Sequence, residues 1–142
     1  MINKARLVQL TQKLIQFNSE NPPGNELALA RFIEKKMISL GLKVKTYTFA
    51  PLEISRRDTP FLTGFAKNRP NVVAVLKGTS PKASQNAILL TPHIDTVPAG
   101  KGWSFNPYGG IVKNGRIYGR GATDDKGNLA CAMEVMQSLV ED

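Results

Sequence analysis

Three stretches of this chain carry apolar residues at helical spacing, and two others carry them in short unbroken runs. Leu7, Leu10, Leu14 and Phe17 form one stripe, which predicts an amphipathic helix over residues 3–17. Asn18-Ser-Glu-Asn-Pro-Pro-Gly24 breaks it, because two prolines and a glycine cannot continue a helix. Leu29, Ile33, Met37 and Leu40 predict a second helix over 25–40, with Gly41 in the residue position that ends it. Leu129, Met133, Met136 and Val140 predict a third over 126–140. Leu42–Phe49 alternates and is rich in Val, Thr, Tyr and Phe, so it reads as a strand. Asn71–Leu76 and Ala87–Thr91 read as strands buried on both faces. Asn114-Gly115 between apolar pairs predicts a hairpin over Gly110–Tyr118. Residues 50–70 read as a long loop or insertion, and 77–86 as a turn-rich connection. The order helix, helix, strands, helix indicates an α/β layered fold with a mixed sheet, in one domain. If the last helix packs on the sheet, little chain remains to cover the other side.

Composition narrows the function classes. Hydrophobic residues make up 42% of the 142 positions and charged residues 21%, which excludes collagen-like and disordered chains. No run reaches the roughly 18 apolar residues of a membrane span. The start shows no secretory pattern, and the single cysteine, Cys131, excludes a disulfide framework or a Cys-cluster zinc finger. These features point to a cytoplasmic protein. Cys131 lies off the main stripe of its helix and reads as a small buried or half-buried thiol. Residues 1–82 carry net charge +9 and residues 83–142 net −1. The basic excess reads first as a solvated face. The alternative is a non-catalytic binding module for nucleic acid or an acidic partner, although the basic residues form no block and have no aromatic interleaving.

Two places can carry chemistry. The only histidine, His93, follows the apolar run in Leu90-Thr-Pro-His-Ile-Asp-Thr-Val-Pro98. Strand ends of open α/β sheets are where functional side chains collect. In extended chain, His93 and Asp95 point to one side, and a carboxylate beside an imidazole suits a metal ligand or a general base. The plain alternative is a strand-end histidine beside a surface acid. The second place is Gly119-Arg-Gly-Ala-Thr-Asp-Asp-Lys-Gly127, which sets Asp124 and Asp125 at the start of the third helix. One aspartate suffices to cap a helix, and a hard carboxylate at such a corner can bind or bridge divalent metals. No phosphate-loop, His-Glu-x-x-His or Gly-x-Ser-x-Gly pattern is present.

Five segments together resemble the acetylornithine deacetylase / succinyl-diaminopimelate desuccinylase / carboxypeptidase family of two-zinc metallopeptidases. They are Ser19-Glu-Asn-Pro-Pro-Gly-Asn-Glu26, Arg69-Pro-Asn-Val-Val-Ala-Val-Leu-Lys-Gly78, His93-Ile-Asp-Thr-Val-Pro98, Trp103-Ser-Phe-Asn-Pro-Tyr108 and Gly119–Gly127. The resemblance implies a three-layer, zinc-peptidase-like catalytic domain with a mixed sheet flanked by helices. Residues 1–142 would be its N-terminal portion, incomplete at the C-terminal end, with the lid and dimerisation domain absent. It implies that His93 binds one metal, that Asp124 bridges two, and that Asp95 is the catalytic partner holding and tuning His93. It also implies a cis peptide after Asp124. Two zinc ions are implied per complete site, with cobalt or manganese as alternatives. The implied reaction is hydrolysis of amide bonds in N-acyl amino acids or small peptides, of deacylase or dipeptidase type, by a full-length protein that is a homodimer. The glutamate base and the remaining ligands would lie beyond Asp142, so this portion is expected to be inactive alone. Neither membrane nor nucleic acid is an expected partner.

Overall fold

A computed structural model describes residues 1–49, 69–80, 82 and 85–142. The expected loop at 50–70 lies outside these residues except for its last two, and so does part of the connection at 77–86. In chain order the elements are α1 (Lys4–Ile15), α2 (Leu27–Ser39), β1 (Lys43–Phe49), β2 (Arg69–Val75), β3 (Ile111–Lys113), β4 (Arg116–Tyr118) and α3 (Lys126–Glu141).

The three helices bury the stripes that define them. Leu10 and Leu14 of α1, Leu29, Ile33 and Met37 of α2, and Leu129 and Met133 of α3 form one core with Leu42, while Leu7, Phe17 and Met136 pack at its margin. Asn3 caps α1 by accepting the backbone N–H of Arg6 at 3.0 Å. Gly41, at φ +80°, ends α2 in the left-handed conformation that a residue without Cβ adopts freely. An ion pair joins α1 to α3: Arg6 donates through Nε and Nη2 to the two oxygens of Glu134, at 2.7 and 2.8 Å. Glu134 is buried, and these charge-assisted bonds, Arg6's first among the causes, hold its carboxyl down at about 2. Val140 and Cys131 are exposed, contrary to their expected places in or beside the core. The buried face of α3 passes instead through Ala130, Glu134 and Ser138.

The described sheets are two antiparallel ribbons, where the sequence pattern predicts one mixed sheet. β1 pairs with β2 in a register running from Lys43↔Val75 to Phe49↔Arg69. β2 buries one face only: Val72 and Ala74 reach the core, whereas Val73 and Val75 are exposed. β3 and β4 form the hairpin that Asn114-Gly115 predicts, with φ +51° and +72° at the turn. The expected strand at Ala87–Thr91 is the main departure. The segment has no strand pairing among the described residues, and Ile88 and Leu89 are 88% and 82% exposed. Without a neighbouring strand to take its backbone hydrogen bonds, an apolar run has nothing to be buried between. Its continuation is anchored by one parallel bridge, Glu20↔Thr96. No described helix is long and apolar enough to cross a membrane.

Candidate functional site

The Asn-Pro-Pro-Gly break after α1 holds the segment that carries His93. Thr96 N–H donates to Ser19 O at 3.0 Å and Asn21 N–H donates to Thr96 O at 2.8 Å. The Glu20 carboxylate accepts the Ala99 N–H at 2.7 Å and the Tyr108 hydroxyl in a short bond. That hydroxyl bond, first among the causes, lowers the Glu20 pKa, and burial together with Glu20 raises Tyr108 to about 12. Residues 93–99 are thus fixed by polar contacts to 19–21, although they belong to no sheet.

The loop 119–125 reaches the same place from the β3–β4 hairpin. Gly121, at φ +80°, packs closely: a Cβ there would stand 2.8 Å from Thr96 Cγ2. The buried Lys126 ties the start of α3 to the end of α1, its Nζ donating to Phe17 O at 2.7 Å. Burial lowers its pKa to about 8. The peptide between Asp124 and Asp125 is cis.

These two supports bring His93 and Asp124 together across 31 residues of sequence. His93 Nε2 lies 2.8 Å from Asp124 Oδ1. On the other side of the ring, Nδ1 lies 3.0 Å from the Asp95 carbonyl oxygen and 3.2 Å from Asp95 Oδ1. The hydrogen bond to Asp124, opposed by desolvation and aided by Asp95, raises the His93 pKa above its usual 6.5. Burial pushes the Asp95 carboxyl up, but the Asn21 amide, then His93 and Arg69, bring it below its usual value. Asp125 does not cap α3 through its side chain. Its Oδ2 accepts the backbone N–H of His93 at 3.1 Å, and Oδ1 accepts from Asn128. The capping role expected of one aspartate is thus not taken by Asp125, which instead holds the histidine's backbone.

A cavity of about 500 Å³ opens beside His93, Asp95 and Asp124, with Asn21, Trp103 and Arg120 in its wall. Arg120 lies over the Trp103 ring, 5.2 Å from its centroid, and donates to the carbonyls of Pro98 and Ala99. Trp103 Nε1 donates to Ala99 O at 2.7 Å, and Phe105 packs on Tyr118. These aromatics anchor the loop. Sequence reasoning did not single out Asn21, Glu26, Arg69 or Asp125 as individual residues of the site. Its only signal for the first three was their presence in the resembling segments.

Among the described residues, no group of three or more His, Cys, Asp or Glu side chains is arranged to hold a metal ion. The pair at hand still fits one chemically. Zinc accepts imidazole nitrogen and carboxylate oxygen, and two bonds of about 2.0–2.2 Å to a shared ion place their donors within roughly 4 Å of each other.

Comparison with known proteins shows what this chain is similar to. Residues 89–142 match the model of peptidase family M20/M25/M40. Over 140 residues the chain is 34% identical to an N-formyl-4-amino-5-aminomethyl-2-methylpyrimidine deformylase of Halalkalibacterium halodurans, covering 96% of this chain and 29% of that protein. It is 27% identical over 136 residues to a succinyl-diaminopimelate desuccinylase of Gluconobacter oxydans, covering 94% and 30%. An uncharacterized metallohydrolase of Methanocaldococcus jannaschii is 27% identical over 141 residues, with 94% and 32% covered. The chain thus spans about three-tenths of the length of these curated relatives. The matched stretch contains His93, Asp95 and Asp124, and the family model and these relatives alike liken the chain to peptidase family M20/M25/M40.

Proposed function

We propose that residues 1–142 form the N-terminal portion of a three-layer zinc-peptidase-like catalytic domain that hydrolyses amide bonds in N-acyl amino acids or small peptides. The observation that carries this reading is the approach of His93 Nε2 to Asp124 Oδ1 within 2.8 Å, from segments that meet only through the fold. His93 would hold one zinc ion, and Asp124 would be shared between two. Bound zinc supplies a Lewis acid for the substrate carbonyl and lowers the pKa of a coordinated water.

The chain's own residues prepare that chemistry. Asp95 faces Nδ1 and would accept its proton when zinc takes the Nε2 lone pair. Asp125 fixes the backbone at His93 through its N–H. Trp103 and Arg120 wall the cavity in which a small acylated substrate would sit. The names of the relatives support this class: one is an N-formyl deformylase and one a desuccinylase, each named for removing an acyl group. Cobalt or manganese would suit the same donors.

The chain contributes two ligand groups, whereas a catalytic zinc normally takes three from protein. We expect weak zinc binding and no amide hydrolysis from residues 1–142 alone. The test is Zn²⁺ titration of this chain and of a protein as long as its relatives, each with and without His93→Ala, together with an N-acyl amino acid hydrolysis assay. Loss of zinc binding on His93→Ala in both, with hydrolysis only by the longer protein, is the expected result. Zinc affinity indifferent to His93→Ala overturns the metal site, and hydrolysis by the bare chain overturns its expected inactivity.

A further inference from the structure

We propose that Asn21 and Arg69 are positioning residues of the His93 site, which together hold the Oδ2 atom of Asp95 so that Oδ1 faces the imidazole. This inference rests on the metal-site reading above and concerns what orients the histidine within it.

The geometry is a relay in which two carboxylates, Glu26 and Asp95, are linked by Arg69, with Asn21 as a second donor to Asp95 and the His93 ring at its end. Asn21 Nδ2 donates to Asp95 Oδ2 at 3.0 Å. Arg69 Nη2 approaches the same oxygen at 3.4 Å. Oδ1 of Asp95 lies 3.2 Å from His93 Nδ1. The terminal torsion of an aspartate is broad and roughly two-fold, so its carboxylate does not orient itself. Two donors on one oxygen remove that freedom and leave the other oxygen for the ring.

Both donors are themselves held. Asn21 sits in the Asn-Pro-Pro-Gly turn, and its backbone N–H is bonded to Thr96 O, one residue beyond Asp95. Arg69 opens β2 and donates through Nε and Nη2 to Glu26 Oε1, at 3.0 and 2.7 Å. Glu26 is buried at the start of α2, and its carboxylate gives the guanidinium a fixed base. A planar guanidinium can span two carboxylates in this way, whereas a lysine ammonium is a point charge on a flexible stem. Position 21 therefore carries a side-chain amide for a reason separate from the turn, and position 69 an arginine for a reason separate from the strand.

The chain's single histidine makes the test direct, because every imidazole signal belongs to His93. Nitrogen-15 NMR of the protein, at a pH where the ring is neutral, reads which nitrogen carries the proton. Zn²⁺ titration against a chromophoric chelator reads affinity. With Asp95 facing Nδ1 and Asp124 facing Nε2, the wild type is expected to hold a larger share of the Nδ1–H form than Asp95→Asn does. Asn21→Leu and Arg69→Gln should each move population toward Nε2–H and weaken Zn²⁺ binding by roughly tenfold, the low end of what losing an outer partner of a metal-binding histidine costs. Asp95→Asn calibrates the full loss.

Arg69→Gln also strips the buried Glu26 of its partner. Asn21→Leu leaves that pair intact and decides the matter alone if Arg69→Gln fails to fold. Tautomer populations unchanged in a folded Asn21→Leu, while Asp95→Asn shifts them, overturn the proposal. Zinc affinity unchanged in His93→Ala overturns the metal-site reading instead, and the tautomer measurement, which needs no metal, still decides the positioning role.

Discussion

Leu14, Ile15 and Leu29 have no solvent exposure, whereas Ile88 and Leu89, just as apolar, are almost fully exposed. The difference lies in what each element needs before it can bury a side chain. A helix satisfies its own backbone and has only to find one apolar surface. The stripes of α1, α2 and α3 find one another, so the helical region is closed within the described residues. An apolar strand needs neighbours for both its backbone and its two faces. Residues 87–91 have none among the described residues. His93 sits at the end of that open segment, held through Ser19, Asn21 and Asp125 by hydrogen bonds where packing is lacking.

The largest effects should come from the closed region. Leu14→Ala is expected to cost about 2–5 kcal/mol, as large-to-small changes in a packed core do. Ile88→Ser, equally drastic in chemistry, should move stability by less than about 0.5 kcal/mol, as exposed substitutions do. Urea unfolding of the two variants checks the contrast. Equal losses would mean that residues 87–91 are buried in solution and that the comparison is false.

The next effect is on acid stability. Glu134 is held at about 2 against its usual 4.5, chiefly by the hydrogen bonds from Arg6. A carboxyl lowered on folding contributes stability that is present above its unfolded value and lost as pH falls through the folded one. The wild type should therefore lose this contribution between about pH 4.5 and pH 2. Arg6→Leu removes the cause and leaves a buried, unpaired carboxylate, so it should destabilise at neutral pH and flatten the profile in that window. Denaturant midpoints measured from pH 7 down to pH 2 read both. A profile unchanged by Arg6→Leu would show that the Arg6–Glu134 pair adds nothing to the joint between α1 and α3.

The open segment should betray itself by association rather than by stability. Contiguous exposed apolar side chains at 88–90 are a surface that binds hydrophobic dyes and other copies. Ile88→Ser with Leu89→Ser should reduce dye fluorescence and the sedimenting aggregate while leaving the unfolding midpoint in place. Unchanged association would locate the sticky surface elsewhere, for example on the exposed face of β2.

This contrast also explains what was legible in the sequence. The helical stripes were legible because the 3.6 period reports burial within one element, and the departures at Val140 and Cys131 fall at the end of α3 and off its stripe. The run at 87–91 is genuinely strand-like in composition, but burial depends on partners that no local pattern encodes. His93, Asp95 and Asp124 were legible as a motif. Asn21, Arg69 and Asp125 lay in the same resembling segments, but their roles were not legible, because each acts through a contact with a residue 26–74 positions away. A hydrogen bond across that separation has no period to read.

The smallest expected effect concerns His93 itself. Its pKa is raised by the hydrogen bond to Asp124 first, and then by Asp95 against desolvation. A group raised on folding contributes stability that is fully present below its unfolded value, here about 6.5, and is lost as pH rises through the folded one. The ring is 48% exposed and Asp124 87%, so solvent screening keeps the contribution small. Zinc binding should run the opposite way, because a metal competes with the proton on Nε2 and gains affinity as pH rises. Chain unfolding and Zn²⁺ affinity, measured between pH 5.5 and pH 8.5, should therefore move in opposite senses: a slight loss of stability without metal, and a gain in affinity with it. His93→Ala should abolish the first trend and most of the second. A metal-free stability that instead rises over this range, and still does so in His93→Ala, would show that the imidazole is not paired with Asp124 in solution. The open region would then lack the imidazole–carboxylate contact by which it meets the loop before α3.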